Sequence, residues 1–197
     1  MSEPSAGEPA PDPVGPRLFG LAWVFYLLLG IAAVVWIGAR RGRIESALFV
    51  DPSRWWIDLL LGAGCGIALI GLWEIVGRRL DATRHFEALL RSLLGSLDAN
   101  QAVGLALLSG FAEELFFRGA VQGAWGFWWA TALFAALHTG RDRGLWVWTA
   151  FAAVAGLAFG GLVLWTGNLL AAIVAHVLVN AVNLRRLAMR SPEGPSG

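Results

Sequence analysis

The sequence predicts an all-α fold, a polytopic transmembrane helix bundle of about six spans, and three observations lead to it. The chain of 197 residues is 57% apolar and only 15% charged, with a mean hydropathy of +0.62, which is too apolar for an ordinary soluble domain. Long uncharged runs alternate with short clusters of arginine. Eleven tryptophans are typical of anchoring at the lipid headgroups. We therefore expect a multi-pass protein of the cell membrane, with the lipid bilayer as its surroundings.

The composition also excludes several classes of function. Every Lys or Arg position is an arginine, and the arginines lie between the apolar runs rather than in one basic patch. A nucleic-acid partner is therefore not expected. The single cysteine, Cys65, excludes an internal disulfide and a metal cage built of several cysteines. Its place in an apolar, glycine-rich run is typical of a small packing residue.

The N-terminal region divides into a tail and the first membrane segments. Residues 1–16 are rich in Pro, Gly, Ser and acids, which predicts a disordered tail without the basic start of a secretory signal. Residues 17–98 then form an N-terminal unit. Its first apolar run, 18–39, is long enough to cross a bilayer, as is the second run, 55–77.

The second run contains two acidic residues near its ends. We expect Asp58 and Glu74 to reach the membrane interface from those positions, and Glu74 to pair with Arg78 one helical turn later. The following segment, 78–98, has apolar residues at helical spacing and polar residues opposite. This pattern predicts an amphipathic helix on the membrane surface, with His85 on its polar side.

The third region, 99–186, is predicted to be the functional core of the bundle. It contains a span at 99–122, a short one at 127–138, and an uncharged run that Thr166-Gly167-Asn168 should divide into two spans. Residues 187–197 read as a second disordered tail. Placing both termini in the cytoplasm puts most of the arginines on that side, which favours this orientation.

Three charges interrupt the third span. Glu113, Glu114 and Arg118 lie between long uncharged stretches, and a charge at bilayer depth costs several kcal/mol, so a functional explanation is the default. On a helix Glu114 and Arg118 share a face and can neutralise each other. Glu113 lies about 100° away from Glu114, without such a partner, and is left for chemistry.

Three further polar residues lie in the later apolar helices. His138 follows Phe134 by one turn, and His176 and Asn180 share one face of the final span. At compatible depths these groups and Glu113 could meet in one polar cavity. A carboxylate in a low-dielectric site suits a general base, a histidine can hold the attacking water, and an imidazole with an amide can stabilise an oxyanion. Together, a general base, a group that holds water and an oxyanion pocket are the components of a hydrolase site.

Other hydrolytic sites are excluded by their missing motifs. Ser109 lacks the earlier glycine of a nucleophile turn, no H-E-x-x-H zinc motif occurs, and no aspartate suits an intramembrane aspartyl pair. The remaining set is Glu113-Glu114-x-x-x-Arg118, Phe134-x-x-x-His138 and His176-x-x-x-Asn180, in this order on separate apolar helices. Each motif is weak when it stands alone, whereas the ordered set is specific.

This ordered set resembles the signature motifs of the CPBP family, the CAAX proteases and bacteriocin-processing enzymes, also called the Abi or type II CAAX prenyl endopeptidase (Rce1-like) family. The resemblance covers about residues 100–184 and includes the approach to the third motif, residues 166–173, where Ala172 stands at a position that is often proline in the family. It implies an intramembrane protease that acts on a peptide or membrane-protein substrate.

The resemblance also implies a role for each motif residue. Glu113 would activate water with the help of His138, Glu114 and Arg118 would order the site, and His176 with Asn180 would form the oxyanion pocket. No cofactor is expected. Zinc remains an alternative, with Glu113, His138 and His176 as its ligands. A second alternative is a non-catalytic membrane binding, immunity or scaffold protein with the same fold.

Overall fold

The computed structural model describes residues 14–41, 52–94, 97–140 and 145–189, and within these ranges the chain is helical, without strands. The all-α prediction is confirmed. The helices are α1 (Val14–Arg41), α2 (Trp55–Arg79), α3 (Asp81–Leu94), α4 (Ala99–Glu114), α5 (Phe127–Leu137), α6 (Trp146–Thr166) and α7 (Leu170–Met189). A π-helix, Leu115–Gln122, continues α4 and is followed by one further turn, Gly123–Trp125.

The number of uninterrupted spans is lower than the six predicted. Within the described ranges, four helices are long and apolar enough to cross a membrane: α1, α2, α6 and α7. The third predicted span is divided between α4 and the π-helix. The fourth is α5, whose 11 residues fall well below the roughly 20 that a bilayer needs. It begins after Gly126, whose φ of 91° interrupts the preceding helix.

The predicted disordered tails overlap the ends of the first and last helices. Helix α1 begins at Val14, inside the predicted tail 1–16, and α7 continues to Met189, inside the predicted tail 187–197. Residues 1–13 and 190–197 lie outside the described residues, as does the charged segment 141–144. The predicted break between the last two spans is present, because Gly167 has a φ of 75° directly after α6.

Helix α7 packs closely against α2 and α4 through glycines. A Cβ atom at Gly62 would lie 2.4 Å from the carbonyl oxygen of Ala171, and a Cβ atom at Gly110 would lie 2.8 Å from Cγ2 of Val177. Small residues let transmembrane helices approach in this way, so that van der Waals contact replaces the missing hydrophobic driving force. The close approach holds the polar face of α7 against α4.

A side chain at Gly62 is therefore expected to separate α2 from α7. We expect Gly62→Ala to destabilise the fold by about 1–3 kcal/mol through overpacking, measured as a lower midpoint of thermal unfolding in detergent. Gly64 is the matched control, since a Cβ atom there has nothing within 4 Å. If Gly64→Ala destabilises the protein as much as Gly62→Ala, the close packing is not the cause.

Both acids of α2 differ from their predicted surroundings. Asp58 is fully buried rather than interfacial, and Asn168 donates a hydrogen bond of 2.8 Å to it from the turn before α7. Glu74 pairs with Arg186 of α7 rather than with Arg78. Arg54, one helical turn earlier, also lies 4.0 Å from Asp58. Local spacing failed only for Glu74, because the close packing of α2 on α7 provides a partner that is distant in sequence.

Helix α3 is amphipathic as predicted, and its apolar face packs on the bundle. Phe86 stacks on Trp148 of α6 with ring centroids 4.6 Å apart, and it also meets the edge of Trp73 of α2. His85 is exposed on the opposite side. Cys65 packs, partly buried, against the same core. Helix α3 thus closes one end of the space between α1, α2 and α6.

Candidate active site

The two adjacent carboxylates lie at the junction of α4 and the π-helix. Glu113 and Glu114 are the last residues of α4, and Arg118 belongs to the π-helix that follows. All three are buried, with exposed fractions of 5%, 0% and 2% in chain order. Single π-helical turns within α-helices occur frequently at functional sites. The charges found in the sequence are therefore inside the bundle and not at its lipid surface.

Glu114 connects α4 to two other parts of the fold. Its Oε2 atom lies 3.3 Å from Nε of Arg118, which is the predicted ion pair, and its Oε1 atom lies 2.7 Å from Nδ1 of His176 on α7. Arg118 also donates to the backbone oxygen of Gly156 on α6 and lies 4.5 Å from the ring centre of Phe134. Because a buried charge is costly without partners, these contacts fix Glu114 in place.

Glu113 faces both histidines. Its Oε2 atom is 3.6 Å from Nε2 of His138 and 4.0 Å from Nε2 of His176. These distances exceed those of ordinary hydrogen bonds, and Oε2 is a buried atom without a hydrogen-bond partner. Residues that are far apart in the chain thus place three polar atoms around one point.

The orientation of each imidazole is set by the contact of its other nitrogen. Nδ1 of His138 lies 2.7 Å from the backbone oxygen of Phe134, and Nδ1 of His176 lies 2.7 Å from Glu114. Since a carbonyl and a carboxylate oxygen accept, each Nδ1 atom carries the proton. Phe159 stacks on His176 with centroids 4.9 Å apart. Both rings are therefore held with Nε2 toward Glu113.

Asn180 is held by Ser109, which the sequence suggested only as a nucleophile and which its missing glycine excluded from that role. The Asn180 Nδ2 atom donates a hydrogen bond of 2.9 Å to Oγ of Ser109, which in turn contacts the backbone oxygen of Ala106. Ser109 precedes Glu113 by one helical turn, so it lies on the same face of α4. The spacing of one helical turn between Ser109 and Glu113 was the sequence signal that could have indicated a structural role for Ser109.

A cavity of about 480 Å³ is lined by four of the six predicted site residues. Glu113, His138, His176 and Asn180 all line it, whereas Glu114 and Arg118 lie behind its wall. Its other end is lined by charged residues of α2, α3 and α7, namely Glu74, Arg78, Arg84, Glu87 and Arg186. The cavity is therefore lined mainly by apolar residues, with the buried candidate catalytic residues in one part of its wall and charged residues in another.

A second cavity of about 380 Å³ meets the first at Glu113 and His138. It lies between α1, α3 and the end of α5, and its lining is largely apolar, including Phe25, Leu29 and Leu137. Tyr26 of α1 borders both cavities. Sequence reasoning missed Tyr26, because it carries no charge and lies outside all three motifs.

The zinc alternative assigned Glu113, His138 and His176 as ligands. Among the described residues, no group of three or more His, Cys, Asp or Glu side chains has an arrangement suited to a metal ion. Glu113, His138 and His176 nevertheless converge, with Nε2 of the two histidines 3.6 and 4.0 Å from Oε2 of Glu113.

Comparison with known proteins gives two matches and one negative result. Residues 96–182 match a family model described as Type II CAAX prenyl endopeptidase Rce1-like. A Bacillus subtilis (strain 168) protein described as "Uncharacterized protein YpbD" is 44% identical over 80 residues, which are 40% of this chain and 41% of that protein. The chain thus spans about two fifths of the length of this curated relative. No solved structure matches the chain.

Proposed function

From the match of residues 96–182 to the type II CAAX prenyl endopeptidase Rce1-like family model, we propose that the protein is an integral-membrane endopeptidase of that family. It hydrolyses a peptide bond with water that Glu113 activates in the buried polar cavity. The observation that carries this proposal is the Oε2 atom of Glu113, which is buried, lacks a hydrogen-bond partner and faces Nε2 of both histidines.

The acceptor atoms of His138 and Glu113 favour a water molecule as the species from which Glu113 takes a proton. With Nδ1 protonated, a neutral imidazole presents Nε2 as an acceptor, and the Glu113 carboxylate presents a further acceptor. A water held by Glu113 and His138 donates to both and keeps its lone pair free for attack. Glu113 then takes one proton as the water oxygen bonds to the carbonyl carbon, and it delivers that proton to the leaving amine when the C–N bond breaks.

The oxyanion formed in this step needs donors on the opposite side. Asn180 supplies an amide N–H and lines the same cavity. His176 donates from Nε2 when both of its ring nitrogens carry protons. Glu114 accepts from its Nδ1 atom and so holds the ring with Nε2 toward the cavity. Glu114 and Arg118 act by holding His176 rather than by touching the substrate.

Asn180 is therefore expected to contribute to the rate rather than to the fold. We expect Asn180→Ala to reduce kcat by about 100-fold to 1,000-fold, the usual loss when one oxyanion donor is removed. Asn183→Ala is the matched control, because Asn183 lines the same cavity one turn away and has no proposed part in the reaction. Equal losses in the two variants would contradict the role of Asn180.

We propose a metal-free mechanism, and a chelator titration tests it. Incubating the purified enzyme with increasing EDTA or 1,10-phenanthroline is expected to leave the initial rate unchanged. Metal analysis of the same preparation is expected to give well under one zinc per chain. A rate that falls with chelator and recovers with added zinc would instead assign Glu113, His138 and His176 to a metal.

The proposed substrate is a peptide that reaches the cavity from the membrane. The suitable probe is an internally quenched peptide ending in a CAAX sequence (cysteine, two aliphatic residues and a variable last residue), prepared with and without an S-farnesyl group. The family description supplies this substrate class, and the largely apolar second cavity beside Glu113 is compatible with a lipid-modified form. Comparing the two probes measures how much the farnesyl group contributes to kcat/KM.

The natural substrate is best sought in cells. Membrane proteomes of cells that carry the wild-type protein or Glu113→Ala should differ in a small set of precursors, which accumulate with their uncleaved segments only in the variant. Identical proteomes, together with a phenotype that Glu113→Ala restores as well as the wild type does, would favour the non-catalytic binding, immunity or scaffold function instead.

A further inference from the structure

Helix α1 packs on the domain through one regular stripe. Its members recur at alternating spacings of three and four residues, typical of one helical face: Trp23, Tyr26, Gly30, Ala33 and Ile37. A Cβ atom at Gly104 would lie 3.2 Å from the Trp23 ring, and one at Gly119 would lie 2.8 Å from Cδ1 of Ile37. The stripe therefore follows α4 and the π-helix along most of their length.

Tyr26 is the member of this stripe that meets Glu113. The stripe touches α4 on both sides of it, at Trp23 and at Gly30, where an added Cβ atom would lie 3.8 Å from Cβ of Ala112. Tyr26 and Glu113 both line each of the two cavities, so the two side chains border the same space. Because a hydroxyl in an apolar environment is costly without a partner, a hydrogen bond to the Glu113 carboxylate would stabilise Tyr26 there.

We propose, building on hydrolysis at Glu113, that Tyr26 is a positioning residue whose hydroxyl donates a hydrogen bond to the Glu113 carboxylate. This bond fixes the rotation of the carboxylate so that Oε2 stays directed at the two imidazoles. We assign Oε1 as the acceptor, since Oε2 has no hydrogen-bond partner and faces the histidines at 3.6 and 4.0 Å. The active site therefore extends beyond residues 96–182 to α1.

Removing only the hydroxyl tests this role. With the quenched CAAX peptide as probe, Tyr26→Phe is expected to lower kcat about tenfold or more, the effect of one hydrogen bond to a charged group, while KM stays within about twofold. Leu28→Ala is the neighbouring control, since Leu28 is 61% exposed and is not among the residues that line either cavity. A Tyr26→Phe enzyme with wild-type kcat would overturn the proposal, because the ring and its packing are retained.

A second measurement does not depend on cleavage. Tyr26 is the single tyrosine of the chain, so residue-specific incorporation of 3-fluorotyrosine labels this position alone. The ¹⁹F resonance is expected to shift in the Glu113→Gln variant. It is expected to stay in place in the control variant Glu74→Gln, because Glu74 pairs with Arg186 in another part of the first cavity. A resonance that is the same in Glu113→Gln and in the wild type would overturn the hydrogen bond.

The two measurements separate this inference from the proposed function. The fluorotyrosine enzyme keeps a hydroxyl and is expected to retain kcat within about threefold of the wild type, unlike Tyr26→Phe. If Glu113→Gln cleaves the peptide as fast as the wild type, the proposed function fails, whatever the ¹⁹F spectrum shows. If Glu113→Gln is inactive and Tyr26→Phe is fully active, only the role of Tyr26 fails.

Discussion

Replacing Glu113 with glutamine is expected to reduce peptide cleavage by about a thousandfold or more, with the protein still inserted and folded. The physical reason is that the amide has nearly the shape of the carboxylate but cannot take a proton from water at neutral pH. Glutamine at this position still accepts the proposed hydrogen bond from Tyr26 through its amide oxygen. The measurement is the initial rate on the quenched peptide beside a thermal unfolding curve of the same sample.

The control for this variant removes a carboxylate from the same cavity. Glu74→Gln changes a residue near the arginine-lined end, where it pairs with Arg186, and it should leave kcat within about threefold of the wild type. Glu113→Gln with near wild-type activity and a wild-type unfolding curve would exclude Glu113 as the general base. Comparable losses in both variants would indicate a general effect of charge in the cavity.

The largest effect on stability is expected at Arg118. Its guanidinium and the Glu114 carboxylate are both fully buried, so Arg118→Met leaves a carboxylate in the bundle with only His176 to balance it. Removing one partner of a buried pair typically costs about 3–5 kcal/mol, and we expect a loss of that size. The measurement is unfolding in detergent by circular dichroism, together with the yield of folded protein from membranes.

A double variant distinguishes the cost of the unpaired charge from the cost of lost packing. Adding Glu114→Gln to Arg118→Met removes the unpaired charge and keeps an oxygen that accepts from Nδ1 of His176. We expect the double variant to be more stable than Arg118→Met by about 1–3 kcal/mol. A double variant that is less stable than either single change would show that packing around Phe134 and Gly156, rather than charge, dominates.

Much of the candidate site was predictable because charge is so rare in this chain. Glu113, Glu114 and Arg118 stood out against apolar sequence, and the i,i+4 rule gave the ion pair at 3.3 Å. The contact between Glu114 and His176 was not predictable, because no local spacing connects residues on α4 and α7. The proposed role of Tyr26 and the contact of Ser109 with Asn180 were missed for a related reason: a lone hydroxyl on an apolar helix gives no signal until its neighbour is known.

The fold was predicted well as a class and less well in its details. Hydropathy gave an all-α membrane bundle, since any long apolar run in lipid must satisfy its backbone within a helix. It could not predict the π-helix after Glu114, which packs mainly against α1 and α5. It also placed Asp58 at the interface, although Asn168 gives this acid a buried partner. Hydropathy treats each helix separately, whereas these features arise between helices.

The division of the site between α4 and α7 has a consequence for biosynthesis. Glu113 leaves the ribosome with α4, but the imidazole and amide opposite it belong to α7, which is made later. The close contact between Gly110 and Val177 and the contact of His176 with Glu114 both require α7 to be in place. A nascent chain therefore carries an incomplete site while it is being inserted. On the proposed function, the protein would become able to cleave a peptide only when the helix bundle is complete.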